Sequence, residues 1–225
     1  MKGSKRKIII GLAVLAVLLV GAGSFVFLWQ PDPLKMTTLA LENLNNANSF
    51  AFSLTQQQTV AGNERQLTRI SGYKSGENIH VQGQMAGSQV EMIKIGQTLY
   101  NKDPFSGRWI KYDDISIAQR IFLVELDPLA TLQIKEIGEV VPKGESVVDQ
   151  TKCRVYTFKP SIQNQLLESF WTDFEYTLYV TKRTKMIAKA EITALNKETK
   201  EPMKITLEFK DFNKKISIQP PQAVG

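Results

Sequence analysis

Residues 49–55 read SFAFSLT, and this stretch decides what kind of fold the chain can form. Phe50, Phe52 and Leu54 alternate with small or polar residues. That alternation has the period of two that is typical of a strand with one buried face. The chain therefore enters β-structure here, and the segments on either side can be interpreted from this point.

An amphipathic helix is predicted immediately before this strand. Asp32 suits the N-cap position, and Pro33 suits the first helical position. Apolar residues then recur on one side at helical spacing, namely Met36, Ala40, Leu44 and Ala47. Because asparagines follow at 45, 46 and 48, we expect the helix to end there after about four turns.

An antiparallel meander is predicted after the strand. Turn residues separate short apolar runs at 66–73, 79–81, 90–95, 98–100 and 109–112. Regular strand-and-turn spacing favours an antiparallel sheet over a parallel one. We expect the sheet to curve, with an inner face formed by Phe50, Phe52, Ile79, Val81, Val90, Met92 and Trp109.

The segment 113–137 is too apolar to lie free in water. It predicts two short helices that cover the sheet, the second beginning at Asp127-Pro128. The residues expected to contact the inner face or a ligand are Ile121, Phe122, Leu129 and Leu132. The remaining chain predicts a strand at 147–158, a short helix from Pro160, closing strands at 175–181, 186–194 and 203–212, and a short edge at 214–219.

A transmembrane signal-anchor helix is predicted from Ile8 to Trp29. This stretch has no charged residue, and as a helix it would span about 33 Å, close to a bilayer core of about 30 Å. A basic tail at 1–7 precedes it and favours a cytoplasmic N-terminus. A linker at 30–33 and an extracytoplasmic domain at 34–225 follow. A cleaved signal peptide is the alternative, whereas the lone Cys153 excludes a lipoprotein signal.

The predicted basic tail accounts for most of the net positive charge of the chain. Of 28 Lys and Arg, four lie in the basic tail, which leaves 24 against 22 acidic residues in the rest of the chain. The predicted domain is therefore nearly neutral, and nothing in it suggests a nucleic-acid partner. We expect the membrane and a lipid or lipid-linked ligand as partners, with an envelope protein as the alternative.

Few residues could carry catalysis. The chain has one histidine, His80, and one cysteine, Cys153, which excludes zinc motifs and internal disulfides. His80 alternates with Ile79 and Val81, so we expect its side chain to point away from the core. Carboxylate pairs such as Asp113-Asp114 fit a helix start better than an active site. No cofactor, metal or catalytic residue is predicted, and an enzyme using carboxylates ranks below the binding hypotheses.

The order of elements resembles the lipoprotein-carrier superfamily, which includes LolA-like carriers and LppX/LprG-like lipoproteins. Three segments carry the resemblance: GQTLY at 96–100 with GRWIK at 107–111, LYVT at 178–181 with MIAKAE at 186–191, and FKDFNKKISI at 209–218. Thr181 departs from the pattern, because an Asp is usual there. The resemblance covers nearly all of 34–221.

The resemblance implies an α+β fold in which helices plug an incomplete barrel around a hydrophobic cavity for acyl chains. It implies a membrane-anchored domain that binds a lipid or lipid-linked ligand without covalent chemistry. Ordinary core packing would use the same apolar residues. The alternative hypothesis is accordingly an envelope sensor or scaffold with a filled core, in which the apolar segment docks another protein.

Overall fold

An open antiparallel sheet dominates the computed structural model, which describes residues 31–113 and 127–222. Two α-helices lie in these ranges, α1 (Pro33–Asn45) and α2 (Gln165–Phe170), together with a 3₁₀ turn at Ala130–Leu132. The strands there are β1 (Ser49–Val60), β2 (Asn63–Ser75), β3 (Asn78–Met85), β4 (Ser88–Ile95), β5 (Thr98–Lys102), β6 (Trp109–Tyr112), β7 (Ile134–Glu136), β8 (Val140–Val148), β9 (Thr151–Phe158), β10 (Ser161–Ile162), β11 (Trp171–Thr181), β12 (Ile187–Asn196) and β13 (Pro202–Lys210).

Eleven of these strands form the main sheet, in the order β6-β5-β4-β3-β2-β1-β13-β12-β11-β9-β8. Every neighbouring pair is antiparallel, and β1 pairs with β13, which joins the first strand to the last. Strands β6 and β8 are the two edges, so the sheet is not closed. A separate two-stranded sheet pairs β7 with β10. The predicted incomplete barrel is thus confirmed as an open, mostly antiparallel sheet with few helices.

Alternation along the strands gives the sheet two chemically different faces. We call the side that carries Phe50, Phe52 and Leu54 the apolar face, and the side that carries Ser53 and Thr55 the polar face. On the apolar face, Leu54 lies opposite Leu207 and Leu207 opposite Ala190, with Leu178 next in the same row. The side chains in this row are buried, as expected for the main core.

Helix α1 covers part of the apolar face. Its cap forms as predicted, because the Asp32 carboxylate accepts a hydrogen bond from the Leu34 amide at 3.0 Å and Pro33 occupies the first turn. The helix contacts β8, β11 and β12. Its buried side chains are Met36, Thr37, Ala40, Leu41 and Leu44, and its apolar ones join the same core cluster as the sheet.

Four predicted local elements are wrong. A 3₁₀ turn replaces the helix expected from Asp127-Pro128. Helix α2 begins at Gln165, because Ser161 and Ile162 instead pair with β7. The predicted strand 147–158 is interrupted by a turn whose Asp149 and Gln150 have positive φ, which creates the hairpin of β8 and β9. Residues 214–219 do not form a strand.

No helix within 31–113 or 127–222 is long and apolar enough to cross a membrane. The predicted transmembrane segment from Ile8 to Trp29 lies outside the described residues. The first of the two helices predicted after residue 113 also lies outside them.

Candidate functional site

Most of the predicted ligand-contacting residues come together on the apolar face. Phe50, Phe52, Ile79, Val81 and Met92 belong to one buried cluster, and Val90 packs against it half-buried. The strand register explains why these side chains lie together. One row of neighbouring residues crosses β1 to β4 in the order Phe52, Gly72, Val81 and Met92.

Leu129 and Leu132 reach the same cluster from the 3₁₀ turn. The turn is attached to the sheet by Tyr176, whose hydroxyl donates a hydrogen bond of 2.7 Å to the Thr131 carbonyl oxygen. Burial raises the pKa of the Tyr176 phenol, which keeps it neutral and able to donate. Leu129 and Leu132 thus lie in the apolar cluster, in a 3₁₀ turn rather than in the expected helix.

Trp109 is the exception, and its predicted position on the inner face is wrong. Trp109 pairs with Lys102, whose ammonium lies 5.7 Å from the centre of the indole ring. Lys102 also forms an ion pair of 2.9 Å with Glu91, which neighbours the apolar-face residue Met92 and therefore points to the polar face. Trp109 consequently lies on the polar face, and Ile110 takes the apolar side.

Four further predicted residues lie outside the described ranges: Ile8, Trp29, Ile121 and Phe122. Any cavity between the sheet and residues 114–126 lies outside them as well. The ends of that segment are described, however. Tyr112 and Leu129 both pack against the apolar cluster, so the described chain contacts the cluster on either side of residues 114–126.

Glu91 organises a small cluster on the polar face. Its carboxylate contacts Lys102 at 2.9 Å and the Nε2 atom of His80 at 3.4 Å. Partial burial would raise the pKa of Glu91, but Lys102 and His80 together outweigh it and lower that pKa. The prediction that His80 points away from the core is therefore confirmed.

Glu191 organises a second, denser cluster on the same face. Its carboxylate contacts Lys204 at 2.9 Å and Lys189 at 3.2 Å, and it accepts a hydrogen bond of 2.8 Å from the Tyr179 hydroxyl. Burial opposes ionisation, but these three partners lower the pKa of Glu191 to about 2. Burial and the same hydrogen bond raise the pKa of Tyr179 to about 12. This arrangement satisfies all four groups and leaves none poised for proton transfer.

Two grooves are lined largely by residues of the polar face, with some residues of the apolar cluster among them. The first has a volume of about 810 Å³, and its charged lining residues are Arg69, Glu91, Lys102, Asp103 and Glu208. Serine, threonine and glutamine side chains supply most of the remaining lining. Carboxylates outnumber cations there, so the groove offers a polar, slightly acidic surface.

The second groove, which we call the hairpin groove, has a volume of about 900 Å³. Its walls are the turn between β8 and β9 and the turn between β11 and β12, and strands β1, β2 and β13 cross its base. The two turns are joined by a backbone hydrogen bond of 3.1 Å from the Lys182 amide to the Lys152 carbonyl oxygen. Basic and apolar residues share the lining, unlike that of the first groove.

The described residues contain little chemistry for catalysis. No group of three or more His, Cys, Asp or Glu side chains there could hold a metal ion. Cys153 is buried, and burial raises the pKa of its thiol. A buried thiol with a raised pKa is a poor nucleophile.

The fold has solved relatives, although no protein-family model and no curated protein matches the sequence. Lipoprotein LppX from Mycobacterium tuberculosis aligns with a TM-score of 0.60 and 11% identity, over 84% of this chain and 100% of LppX. LprF from Mycobacterium bovis aligns with a TM-score of 0.60 and 12% identity, over 86% of this chain and 98% of LprF. The resemblance inferred from the sequence is thereby confirmed at the level of fold, which is LppX-like.

Both grooves were missed by the sequence interpretation, and part of the reason is visible in the sequence. In WIKY at 109–112, alternation places Trp109 and Lys111 on one side and Ile110 and Tyr112 on the other. Because the charged residue Lys111 lies on the same side as Trp109, the pattern indicates that Trp109 lies on a polar face. The hairpin groove left no such sign, because its walls come from turns about 30 residues apart in the chain.

Proposed function

We propose that this chain is a membrane-anchored extracytoplasmic domain that binds a lipid or lipid-linked molecule without covalent chemistry. The observation that carries the proposal is the apolar cluster. Residues from β1, β3, β4 and the 3₁₀ turn converge there, and Tyr112 and Leu129 contact the cluster on either side of residues 114–126. The LppX-like fold supports the same conclusion.

The apolar face suits a flexible hydrocarbon ligand. Each methylene group moved from water to such a surface contributes about 0.8 kcal/mol, so an acyl chain needs no directional contacts to bind. Met92 can adapt its side chain to ligands of different shape. Val90 is only half-buried at the margin of the cluster, which leaves room for an apolar group beside it.

The membrane anchor is part of the proposal and is supported by sequence. The uncharged stretch from Ile8 to Trp29 follows a basic tail, and helix α1 begins only four residues later, at Pro33. We infer an N-terminus in the cytoplasm and a domain held close to the outer membrane surface. Protease added to intact cells or spheroplasts should digest the domain; complete protection of 34–225 would contradict this topology.

The lipid site can be tested on the full chain, purified in detergent, by native mass spectrometry and extraction of co-purifying lipid. Val90→Trp should block the margin of the apolar face and lower the bound lipid about tenfold. The matched control is Gln84→Trp, which adds the same ring to an exposed position on the polar face nearby. Lipid content should be unchanged in the control.

The outcome separates the two binding hypotheses. Wild-type protein that carries no lipid beyond its detergent shell, or equal lipid in the two variants, would contradict the lipid site. A stoichiometric protein partner captured by crosslinking in cells, with no co-purifying lipid, would favour the sensor or scaffold hypothesis instead.

A further inference from the structure

Two rows of hydrogen-bonding side chains line the first groove on the polar face. Residues paired directly across neighbouring antiparallel strands project their side chains to the same side of the sheet. The strand register therefore aligns one row as Ser53, Ser71, Gln82 and Glu91 across β1 to β4, and the next row as Thr55, Arg69, Gln84 and Gln89. Neighbours lie about 5 Å apart across the strands and about 7 Å apart along them, so the rows form a strip about 14 Å long.

Most side chains of the two rows have no partner within the protein. Among the described residues, Glu91 is the only member of the rows whose side chain forms a hydrogen bond or an ion pair. Ser71, Gln82, Gln84 and Gln89 are also exposed. Their amide and hydroxyl groups are therefore available to a ligand.

The half of the polar face formed by β9 to β13 is different. There the Glu191 carboxylate is shared by Lys189, Lys204 and the Tyr179 hydroxyl. The side-chain hydroxyls of residues 157 and 177, both threonines, lie 3.1 Å apart and hydrogen-bond to each other. Polar groups on that half satisfy one another, whereas those on β1 to β4 do not.

The charges that line the first groove leave no excess of either sign for a ligand. Glu91 is paired with Lys102 at 2.9 Å, and the Asp103 carboxylate accepts hydrogen bonds from its own loop. Among the described residues, Arg69 and Glu208 are the lining charges that remain without an ion pair or a hydrogen bond, and they have opposite signs. A neutral ligand with many hydrogen-bonding groups suits this lining better than an ion does.

One wall of the groove is a loop that the protein orders by itself. Asp103, Pro104 and Gly107 line the groove there. The Asp103 carboxylate accepts hydrogen bonds from the Phe105 amide at 2.9 Å and from the Ser106 hydroxyl at 2.7 Å, and the Gly107 amide donates to the Asp103 carbonyl oxygen at 2.9 Å. Because the wall is already formed, a ligand does not have to order it on binding.

We propose that the first groove binds a neutral carbohydrate chain, whose hydroxyl groups hydrogen-bond to the side-chain amides of Gln82, Gln84 and Gln89. A glutamine amide both donates and accepts, as a sugar hydroxyl does, so one side chain can pair with two adjacent hydroxyls. The volume of about 810 Å³ falls within the range of about 300–1,000 Å³ typical of ligand sites. The two rows belong to the polar face, so this binding does not depend on the lipid site proposed above.

Saturation-transfer NMR tests the proposal on the full chain in phosphatidylcholine nanodiscs, whose lipids carry no sugar. The neutral probes are tetrasaccharides of β-linked N-acetylglucosamine, β-linked glucose, α-linked glucose and α-linked mannose, and tetragalacturonate is the anionic counterpart. We expect at least one neutral probe to bind about tenfold more tightly than the anion, which would meet the carboxylates of Glu91 and Glu208. The proposal is overturned if no neutral probe binds, or if the anion binds as tightly as the best neutral probe.

Substitutions that keep the shape of the glutamines locate the site. Gln82→Met/Gln84→Met removes two amides and should weaken binding of the best probe about tenfold, and Gln89→Met alone should weaken it about threefold. The matched control is Gln97→Met/Gln163→Met, at two exposed positions outside the groove, and it should bind like wild type. Unchanged affinity in both groove variants, with near-UV circular dichroism confirming the fold, would overturn the proposal, as would an equal loss in the control.

Two further measurements separate this site from other ligands. A neutral peptide of alternating glycine and serine should bind at least tenfold more weakly than the best sugar; equal binding would show that the groove accepts an extended polypeptide, and would overturn the carbohydrate assignment. Co-purifying lipid should be the same in Gln82→Met/Gln84→Met as in wild type. A parallel loss of lipid and sugar binding would show that the two are not separate sites and would overturn the proposal, whereas wild-type protein that binds sugar but carries no lipid would contradict only the lipid site.

Discussion

The two faces of one sheet differ in how they are stabilised. The apolar face is held by close packing, for example of Phe50 against Phe209 with ring centroids 5.5 Å apart. The polar face is held by clusters around single carboxylates, Glu91 in one half of the sheet and Glu191 in the other. Packing is dense and non-directional, whereas ion-pair clusters are partly solvated and depend on pH. The faces should therefore respond very differently to matched substitutions.

The largest expected difference comes from neighbouring residues on β13. Leu207 is fully buried on the apolar face, and the adjacent Glu208 is exposed on the polar face. We expect Leu207→Ala to lower the free energy of unfolding by about 4 kcal/mol, because it leaves a cavity in the central row. Glu208→Ala should change it by less than about 0.5 kcal/mol. Urea unfolding followed by far-UV circular dichroism measures both, and equal losses would contradict the contrast between the faces.

A substitution at Gly72, where β2 closely approaches β3, should have the next largest effect on stability. A Cβ atom on Gly72 would lie 2.1 Å from the His80 carbonyl oxygen and 3.0 Å from the Phe52 ring. Backbone cannot move aside cheaply, so we expect Gly72→Ala to destabilise the fold by about 3 kcal/mol. The control Ser71→Ala changes an exposed neighbour and should be within about 0.5 kcal/mol of wild type. Similar urea midpoints for the two variants would show that β2 and β3 are farther apart in solution.

Local patterns were sufficient to predict the apolar face. Alternation identified Phe50, Phe52, Ile79 and Val81, since period-two burial is a property of each strand by itself. The N-cap at Asp32 was predicted from an equally local pattern, the Asp-Pro pair at the helix start. Even Leu129 was placed correctly in the cluster, because its apolar surroundings were informative although its conformation was not.

The wrong predictions concern segments whose structure depends on strand partners elsewhere in the chain. Ser161 and Ile162 became a strand only because residues 134–136 offered a partner, and no helical or turn signal nearby reports such a contact. Strand β8 was missed because Pro142 and Gly144 interrupt it, and the structure accommodates them in a bulge at an edge strand. Trp109 was misplaced because a strand with large residues on both sides gives no clear inner face.

The Glu191 cluster should show a smaller, pH-dependent effect. Glu191→Gln removes the carboxylate shared by Lys189, Lys204 and Tyr179, and should cost about 2 kcal/mol at pH 7. The pKa of Glu191 is lowered to about 2 in the folded protein, so its stabilising contribution is complete above about pH 4.5 and is lost as the pH falls towards 2. The difference between wild type and variant should shrink over that interval.

Urea unfolding of both proteins at pH 7, 4 and 2.5 measures this dependence. Glu198→Gln is the control, because its carboxylate lies in an exposed turn and should change stability by less than about 0.5 kcal/mol at each pH. A difference between wild type and Glu191→Gln that persists undiminished at pH 2.5 would show that the carboxylate acts through packing rather than through its charge.

The smallest expected effect is a gain in stability beside the apolar face. Thr37 is fully buried in α1, and its Oγ1 atom has no hydrogen-bond partner among the described residues. A buried hydroxyl without a partner costs about 1–3 kcal/mol, and valine has nearly the same shape and helix propensity. Thr37→Val should therefore raise the free energy of unfolding by about 1 kcal/mol, seen as a higher urea midpoint at unchanged slope. Thr38→Val is the control: it removes a hydroxyl that is already satisfied by the Leu34 carbonyl oxygen at 2.9 Å, so it should bring no gain. A loss of stability in Thr37→Val would mean that the hydroxyl is hydrogen-bonded in solution, and the apolar side would then resemble the polar side in relying on a directional contact.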